Sequence, residues 1–380
     1  MTKVRYYFKT ILLSLLGIIL LLVAAVVLFF AFAPQVGAPP TGNHLERIST
    51  SEQYSDGEFV NNVPTGLGNP ATIMWKAGRQ YFTDTESREP QEVIKTIPYD
   101  AARIAAMDEA EVAITWFGHS TAIIRIEGHT LLADPVFGAR ASMFSFAGPE
   151  HFDYDPRATL DDLPPIDAVI ISHDHYDHLD YYAISVLKDR VGKFFVPLGV
   201  GAHLQSWGVP DENITELDWW EEAVFSDKLT LAATPSRHFS GRGLTDRNGT
   251  LWASWSIIGR SKRVFFSGDS GYFPGFREIG DRYGPFDFVM MECGAYNELW
   301  ADIHMMPEQS AQAFKDVRGK VLMPIHWGKF NLALHPWKEP VQRLHMAMEG
   351  DQRIIAQPRV GQVFYIDRDI PTAKWWEEYE

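Results

Sequence analysis

One cysteine in 380 residues, Cys293, has nothing to pair with inside the chain. A disulfide framework is therefore excluded, as is a structural zinc site built from four thiolates. Cys293 follows the apolar run FDFVMME and reads as a small buried hydrophobe. Positive charge is also scarce: 34 Lys and Arg face 49 Asp and Glu, for a formal net charge of −15, and no basic run is present. Such a chain repels polyanions, which excludes nucleic acid as a partner. There is no fixed-period repeat and no low-complexity tract. Disorder is excluded as well, because 46% hydrophobic and 13% aromatic residues suffice for a large buried core.

What is present begins with an uncharged run from Ile11 to Ala33, ILLSLLGIILLLVAAVVLFFAFA. At helical rise it extends about 34 Å, enough to cross a bilayer. Lys3, Arg5 and Lys9 precede it and the next charge is Glu46. The positive-inside rule then puts the N-terminus in the cytoplasm and the remainder on the outer side, which is periplasmic in a bacterium. The alternative is a cleaved signal peptide, since AFA resembles a small-residue cleavage site. The length of the run and Pro34 just after the cut favour an uncleaved anchor. Residues 34–60, rich in Pro, Gly and polar residues, are expected to form an exposed linker. Beyond them, short β-branched runs alternate with Gly, Pro and Asp punctuation. Helical stretches intervene, such as PEQSAQAFKDVR with Pro307 in its first turn, and the pattern is α/β.

Four strand-like runs each end on a metal-ligand residue type. IDAVIIS delivers His173, His175, Asp177 and His178; KLTLAATPSR delivers His238; RVFFSG delivers Asp269; KVLMPI delivers His326. Loops at one edge of a sheet are where α/β proteins build sites, because rigid strands position the donors. The donors of His-x-His-x-Asp-His crowd one ion but divide naturally between two held about 3.5 to 4 Å apart. The expected set is His173, His175 and His238 on one ion and Asp177, His178 and His326 on the other, with Asp269 bridging. Imidazole and carboxylate without thiolate favour two zinc ions, with iron or manganese as alternatives. His44, His129, His151, His203 and His345 read as ordinary core or surface histidines.

These residues resemble the signature of the metallo-β-lactamase superfamily. Within it, TWFGHSTAIIRI, LLADPVFGARAS, SRHFSGRGLTDRNGTLWASWSIIG, FFSGDSGYFPGFREIGDRYGPFD and PIHWGKFNLALHP resemble the N-acylphosphatidylethanolamine-hydrolysing phospholipase D family, over about residues 60–366. The resemblance implies an αββα four-layer sandwich, a dinuclear zinc site in the seven positions above, and phosphodiester cleavage in an N-acylated phospholipid. The expected layout is a cytoplasmic stub and transmembrane anchor over 1–33, the linker over 34–60, and a hydrolase domain over 61–380. The resemblance also makes Asp134 a carboxylate that orients a ligand histidine from behind, with a turn-forming Asp before Pro135 as the alternative. His119 lines the site or packs behind it, and His304 contacts the substrate phosphate or donates a proton.

The expected nucleophile is a hydroxide held between two cations, with Asp177 orienting the water or taking its proton and His304 protonating the leaving group. An anchor suits a lipid substrate because tethering raises local concentration. Residues 136–149, VFGARASMFSFAGP, read first as buried core, with a lipid-facing loop as the alternative. A lactonase or small-molecule phosphodiesterase with the same ligands is the second reading. A non-catalytic metal-binding protein is the third, disfavoured because the ligand set leaves positions for water.

Overall fold

A computed structural model describes residues 2–66, 68–83 and 87–380. Its centre is a pair of seven-stranded sheets. The first contains β1 (Ala113–Trp116), β2 (Ala122–Ile126), β3 (His129–Ala133), β4 (Ala168–Ile170), β5 (Phe194–Pro197) and β6 (Ile214–Leu217). The second contains β7 (Glu222–Val224), β8 (Leu229–Thr234), β9 (Ser254–Gly259), β10 (Arg263–Phe266), β11 (Phe286–Glu292), β12 (Gly319–Ile325) and β13 (Ile354–Ile355). The last strand, β14 (Val363–Tyr365), returns to the first sheet, whose order is β6-β5-β4-β3-β2-β1-β14. The second runs β7 to β13 in chain order. Each sheet is half parallel and half antiparallel. β3 to β6 are parallel and β1, β2, β3 and β14 antiparallel; β7 to β10 are antiparallel and β10 to β13 parallel.

The central strands are apolar on both faces, and this dictates four layers. On β4, Ala168 and Ile170 enter the core between the sheets while Val169 joins the outer cluster. On β12, Val321, Met323 and Ile325 face inward and Leu322 outward. Helices Tyr181–Leu187 and Val200–Ser206 cover the first sheet through Ile184, Leu187, Val200 and Leu204. Helices Gly275–Tyr283, Pro307–Asp316 and Glu339–Ala347 cover the second through Phe276, Ile279, Phe314 and Leu344. The αββα sandwich read from the sequence is the architecture observed, and Pro307 opens its helix as expected.

The apolar N-terminal run forms α1 (Thr2–Phe32), which extends back through Lys3, Arg5 and Lys9 rather than starting at Ile11. Residues Lys3–Phe32 are long and apolar enough to cross a membrane, with mean hydropathy 3.3 over their most apolar window and none of that window buried; an N-terminal signal sequence meets the same test. Phe29 packs on Phe144 with ring centroids 4.8 Å apart. The 136–149 loop divides: Val136 and Phe137 are core, whereas Phe146 at the tip is 80% exposed.

The segment 34–60 corrects the expectation of an exposed linker. It holds α2 (Asn43–Ser49), whose Ile48 is buried, and Phe59, fully buried; both belong to the inter-sheet core. His44 Nδ1 lies 3.0 Å from Glu216 Oε2, and the Phe59 amide donates to Asn248 O at 2.8 Å. Pro and Gly give the segment its irregular backbone, while His44 and Ile48 on one face of α2, and Phe59 beyond it, dock it. Further on, α3 (Pro70–Thr83) exposes Met74, Trp75, Tyr81 and Phe82.

Candidate metal centre

Every strand that supplies a proposed donor ends at the same edge of the sandwich. β4 leads to His173, His175, Asp177 and His178, β8 to His238, β10 to Asp269 and β12 to His326. The ligating atoms of His173, His175 and His238 lie within 4.8 Å of one another, and those of Asp177, His178 and His326 form a second such group together with His119. Asp269 stands between the two. Its Oδ2 is 3.2 Å from His178 Nε2 and 3.0 Å from His326 Nε2, and 3.9 and 3.8 Å from His173 Nε2 and His238 Nε2. All seven positions named from the sequence therefore converge.

The remaining three also lie here. Asp134 Oδ2 accepts from His178 Nδ1 at 2.7 Å and from Ser172 Oγ at 2.5 Å, and Ser172 Oγ lies 2.9 Å from His173 Nδ1. One buried carboxylate thus orients a histidine in each group. His119 Nε2 lies 3.0 Å from Asp177 Oδ2, so this side chain stands among the donors rather than behind them. His304 is half-buried beside His238 and His326, with ring centroids 5.1 and 5.2 Å away. Its Nδ1 is hydrogen-bonded to Glu292 Oε1, while Glu292 Oε2 accepts from the Ser270 amide at 2.7 Å. Glu292 was missed in the sequence; the acid at the end of FDFVMME was its only signal. Asn61 was missed too: it pairs with the His238 backbone in both directions, at 2.8 and 3.1 Å.

The donor set fits divalent cations. His178 Nε2 and Asp269 Oδ1 are buried with no hydrogen-bond partner among the described residues, although both sit inside the cluster. Donor atoms up to 4.8 Å apart suit coordination bonds of about 2.0 to 2.2 Å. Burial pushes His173, His175 and His238 down, toward the neutral imidazole that ligates. Burial also brings His119 down to about 3. Burial alone would raise Asp177 and Asp269, but the positive charge of His178 and the surrounding imidazole donors outweigh it and hold both well below the carboxylate range. Burial would likewise lower His326, yet Asp269 and Asp177 lift it to about 10. The cluster draws positive charge into the space between its carboxylates, as protons or as a cation.

Above the donors lies a cavity of about 340 Å³. Its floor is His175, Asp177, Asp269, His304 and His326; its walls are Ile73 of α3, Phe239, Trp300, Ile303 and Leu332. A polar floor under apolar walls suits an amphiphilic substrate.

Comparison with known proteins agrees with this geometry. The model of the beta-lactamase superfamily domain matches residues 129–327, and the chain belongs to that superfamily, as a metal-dependent hydrolase. It is homologous to the N-acyl-phosphatidylethanolamine-hydrolyzing phospholipase D 1 of Caenorhabditis elegans, 36% identical over 330 residues that cover 80% of this chain and 92% of that protein. An uncharacterized protein of Mycobacterium tuberculosis is 42% identical over 335 residues, covering 86% and 87%. Among solved structures, the metallo hydrolase Igni18 of Ignicoccus hospitalis shares the fold at a TM-score of 0.52 and 23% identity, over 67% of this chain and 97% of that one.

Proposed function

We propose that this protein is a membrane-anchored dinuclear-metal phosphodiesterase of the phospholipase D type, acting on an N-acylated phospholipid. The observation that carries the reading is the convergence of seven imidazole and carboxylate donors beneath an apolar-walled cavity. Homology to the C. elegans enzyme supports the substrate class. In this reading His173, His175 and His238 would hold one cation and Asp177, His178 and His326 the other, with Asp269 placed to serve both. The cations, zinc by the chemistry of the donors, supply Lewis acidity and bring water at the site toward ionisation at neutral pH. The chain's own residues do the rest. Asp177 orients the attacking water, and His304, its Nδ1 committed to Glu292, turns Nε2 to the leaving oxygen. The walls of the cavity, Phe239, Trp300 and Leu332, exclude water from the acyl chains.

The anchor puts this cavity beside its substrate. α1 holds the protein in the bilayer with the N-terminus cytoplasmic and the catalytic part on the outer side, periplasmic in a bacterium. In domain terms, residues 1–33 are stub and anchor and the hydrolase unit is 61–380, with 34–60 packed onto it.

The test is product identification by mass spectrometry after the zinc-loaded full chain meets vesicles of N-acyl phosphatidylethanolamine, with lactones and small phosphodiesters in parallel. Release of an N-acylethanolamine and phosphatidic acid is expected. Lactone turnover without phospholipid cleavage overturns the reading in favour of a lactonase, and metal uptake without any hydrolysis in favour of a binding protein.

A further inference from the structure

Three of the five residues 34–38 that follow α1 are hydrogen-bonded to distant parts of the fold. Trp207 Nε1 donates to Pro34 O at 2.6 Å, and Gln35 Nε2 donates to Met143 O at 2.9 Å. Arg242 donates to Gln35 O from Nε at 3.2 Å and from Nη2 at 2.6 Å. The Ala38 amide donates to His203 Nδ1 at 3.1 Å. Gly37 has φ of 80°, and a methyl group there would overlap the His203 ring.

Both clamps lead on to the loop that carries four of the proposed ligands. Arg242 is 1% exposed, and its Nη1 donates to Asp174 O and Leu179 O. One rigid guanidinium thus holds the carbonyl of residue 35 together with two carbonyls of the 173–179 loop. His203 Nε2 lies 3.4 Å from Asp174 Oδ2. Asp174 sits between His173 and His175, and its carboxylate is occupied by Thr250 Oγ1 and the Gly241 amide, both at 2.8 Å. It belongs to no donor group; it ties the loop down from the opposite side.

The energetics give these ties their weight. A buried guanidinium is costly unless its donors are satisfied. Here the hydrogen-bond partners are backbone carbonyls, with the faces of Tyr176 and Trp207 at 4.0 and 5.2 Å. Withdrawing residue 35 leaves two donors of a buried cation unmet, and the loop must rearrange to compensate.

We propose that residues 34–38 form a positioning strap through which the end of α1 holds the metal-binding loop in shape, with Arg242 and His203 as its clamps. The inference rests on the dinuclear-metal reading and adds that metal affinity depends on the membrane-side segment. The strap also fixes how the cavity faces the bilayer, since its first residue follows the anchor directly.

The experiment uses the full chain in lipid nanodiscs, with Zn²⁺ alone as the probe. It compares Gly37→Ala, Arg242→Gln and, as a control on α2, Arg47→Gln, whose partner Glu221 lies outside the loop. Zinc affinity is measured by chelator competition and amide hydrogen exchange is followed across 173–179. Gly37→Ala is expected to weaken zinc by about tenfold or more and to speed exchange in the loop, while Arg47→Gln stays within about twofold on both counts. Zinc affinity and loop exchange both unchanged in Gly37→Ala overturn the strap, and that variant decides the matter should Arg242→Gln not fold. If the unmodified chain takes up no Zn²⁺, the metal reading fails separately. The strap then stands or falls on whether Gly37→Ala changes loop exchange.

Discussion

Three residues of the site occupy the left-handed backbone region that side chains rarely adopt: His119 at φ 54°, Asp134 at 38° and His326 at 65°. Each such conformation costs about 1 to 3 kcal/mol and persists where its surroundings over-determine it. They do so here. The His326 amide donates to His119 O and the His119 amide to Trp327 O, both at 3.0 Å, and the Asp134 amide donates to Ile170 O at 3.0 Å. Asp134→Asn removes the carboxylate behind His178 while keeping its shape, and zinc affinity by chelator competition is expected to fall about 10- to 100-fold. Lys329 offers a second test. Its ammonium is buried against Val136 O at 2.6 Å, and burial brings its pKa from 10.5 to about 7. The folded chain therefore binds fewer protons than the unfolded chain between those values. Stability is lost as pH falls through 10.5 toward 7, with a slope from this group of at most about 1.4 kcal/mol per pH unit. Denaturant midpoints across that range are expected to show the slope in the native protein and to lose it in Lys329→Met. At this scale the seven donors were legible because their chemistry is rare and their spacing tight. Glu292 and Asn61 were not, since neither lies in a motif with ligand spacing and each meets its partners, His304 and Ser270 for Glu292 and the His238 backbone for Asn61, only once the chain is folded.

Elements carry the next level of consequence. The strands were readable from apolar runs, and their common termination followed once parallel neighbours such as β10, β11 and β12 were aligned in one sheet. The docking of 34–60 was not readable. His44 and Ile48 share one face of α2 at i, i+4 spacing, but that helix is only two turns long and Phe59 lies beyond it, while the partners Glu216 of His44 and Asn248 of Phe59 lie more than a hundred residues away in sequence. α3 is informative in the other direction, because it covers the cavity with Ile73 and turns Met74, Trp75 and Phe82 to solvent. An apolar face of that kind on a surface helix suits the lipid interface. Replacing Met74, Trp75 and Phe82 together by serine is expected to raise KM on phospholipid vesicles about tenfold. Turnover of a short-chain soluble phosphodiester should stay unchanged, and equal loss on both substrates would count against interfacial contact.

For the whole molecule, fold and metal are linked. Cations that bind only the folded state add about 2.7 kcal/mol at a hundredfold excess over Kd. Chelation is therefore expected to lower the melting temperature by about 4 °C or more, reversed by zinc and absent in Asp269→Ala. Sidedness is open to direct measurement. A protease added from the outer face is expected to cleave the catalytic part while leaving the first residues of α1 protected, and the reverse pattern would invert the proposed topology.

Four indoles back the metal edge. Trp327, next to His326, stacks on Trp116 at 5.4 Å and on Trp375 at 5.6 Å, and Trp375 and Trp376 are buried in the core. Two of the four, Trp375 and Trp376, lie beyond every proposed donor in the sequence, so this backing is completed only after the last donor, His326, has been synthesised. A chain that ends before Trp375 is expected to hold all seven proposed donors without their full backing, and to bind zinc more weakly by chelator competition than the full chain.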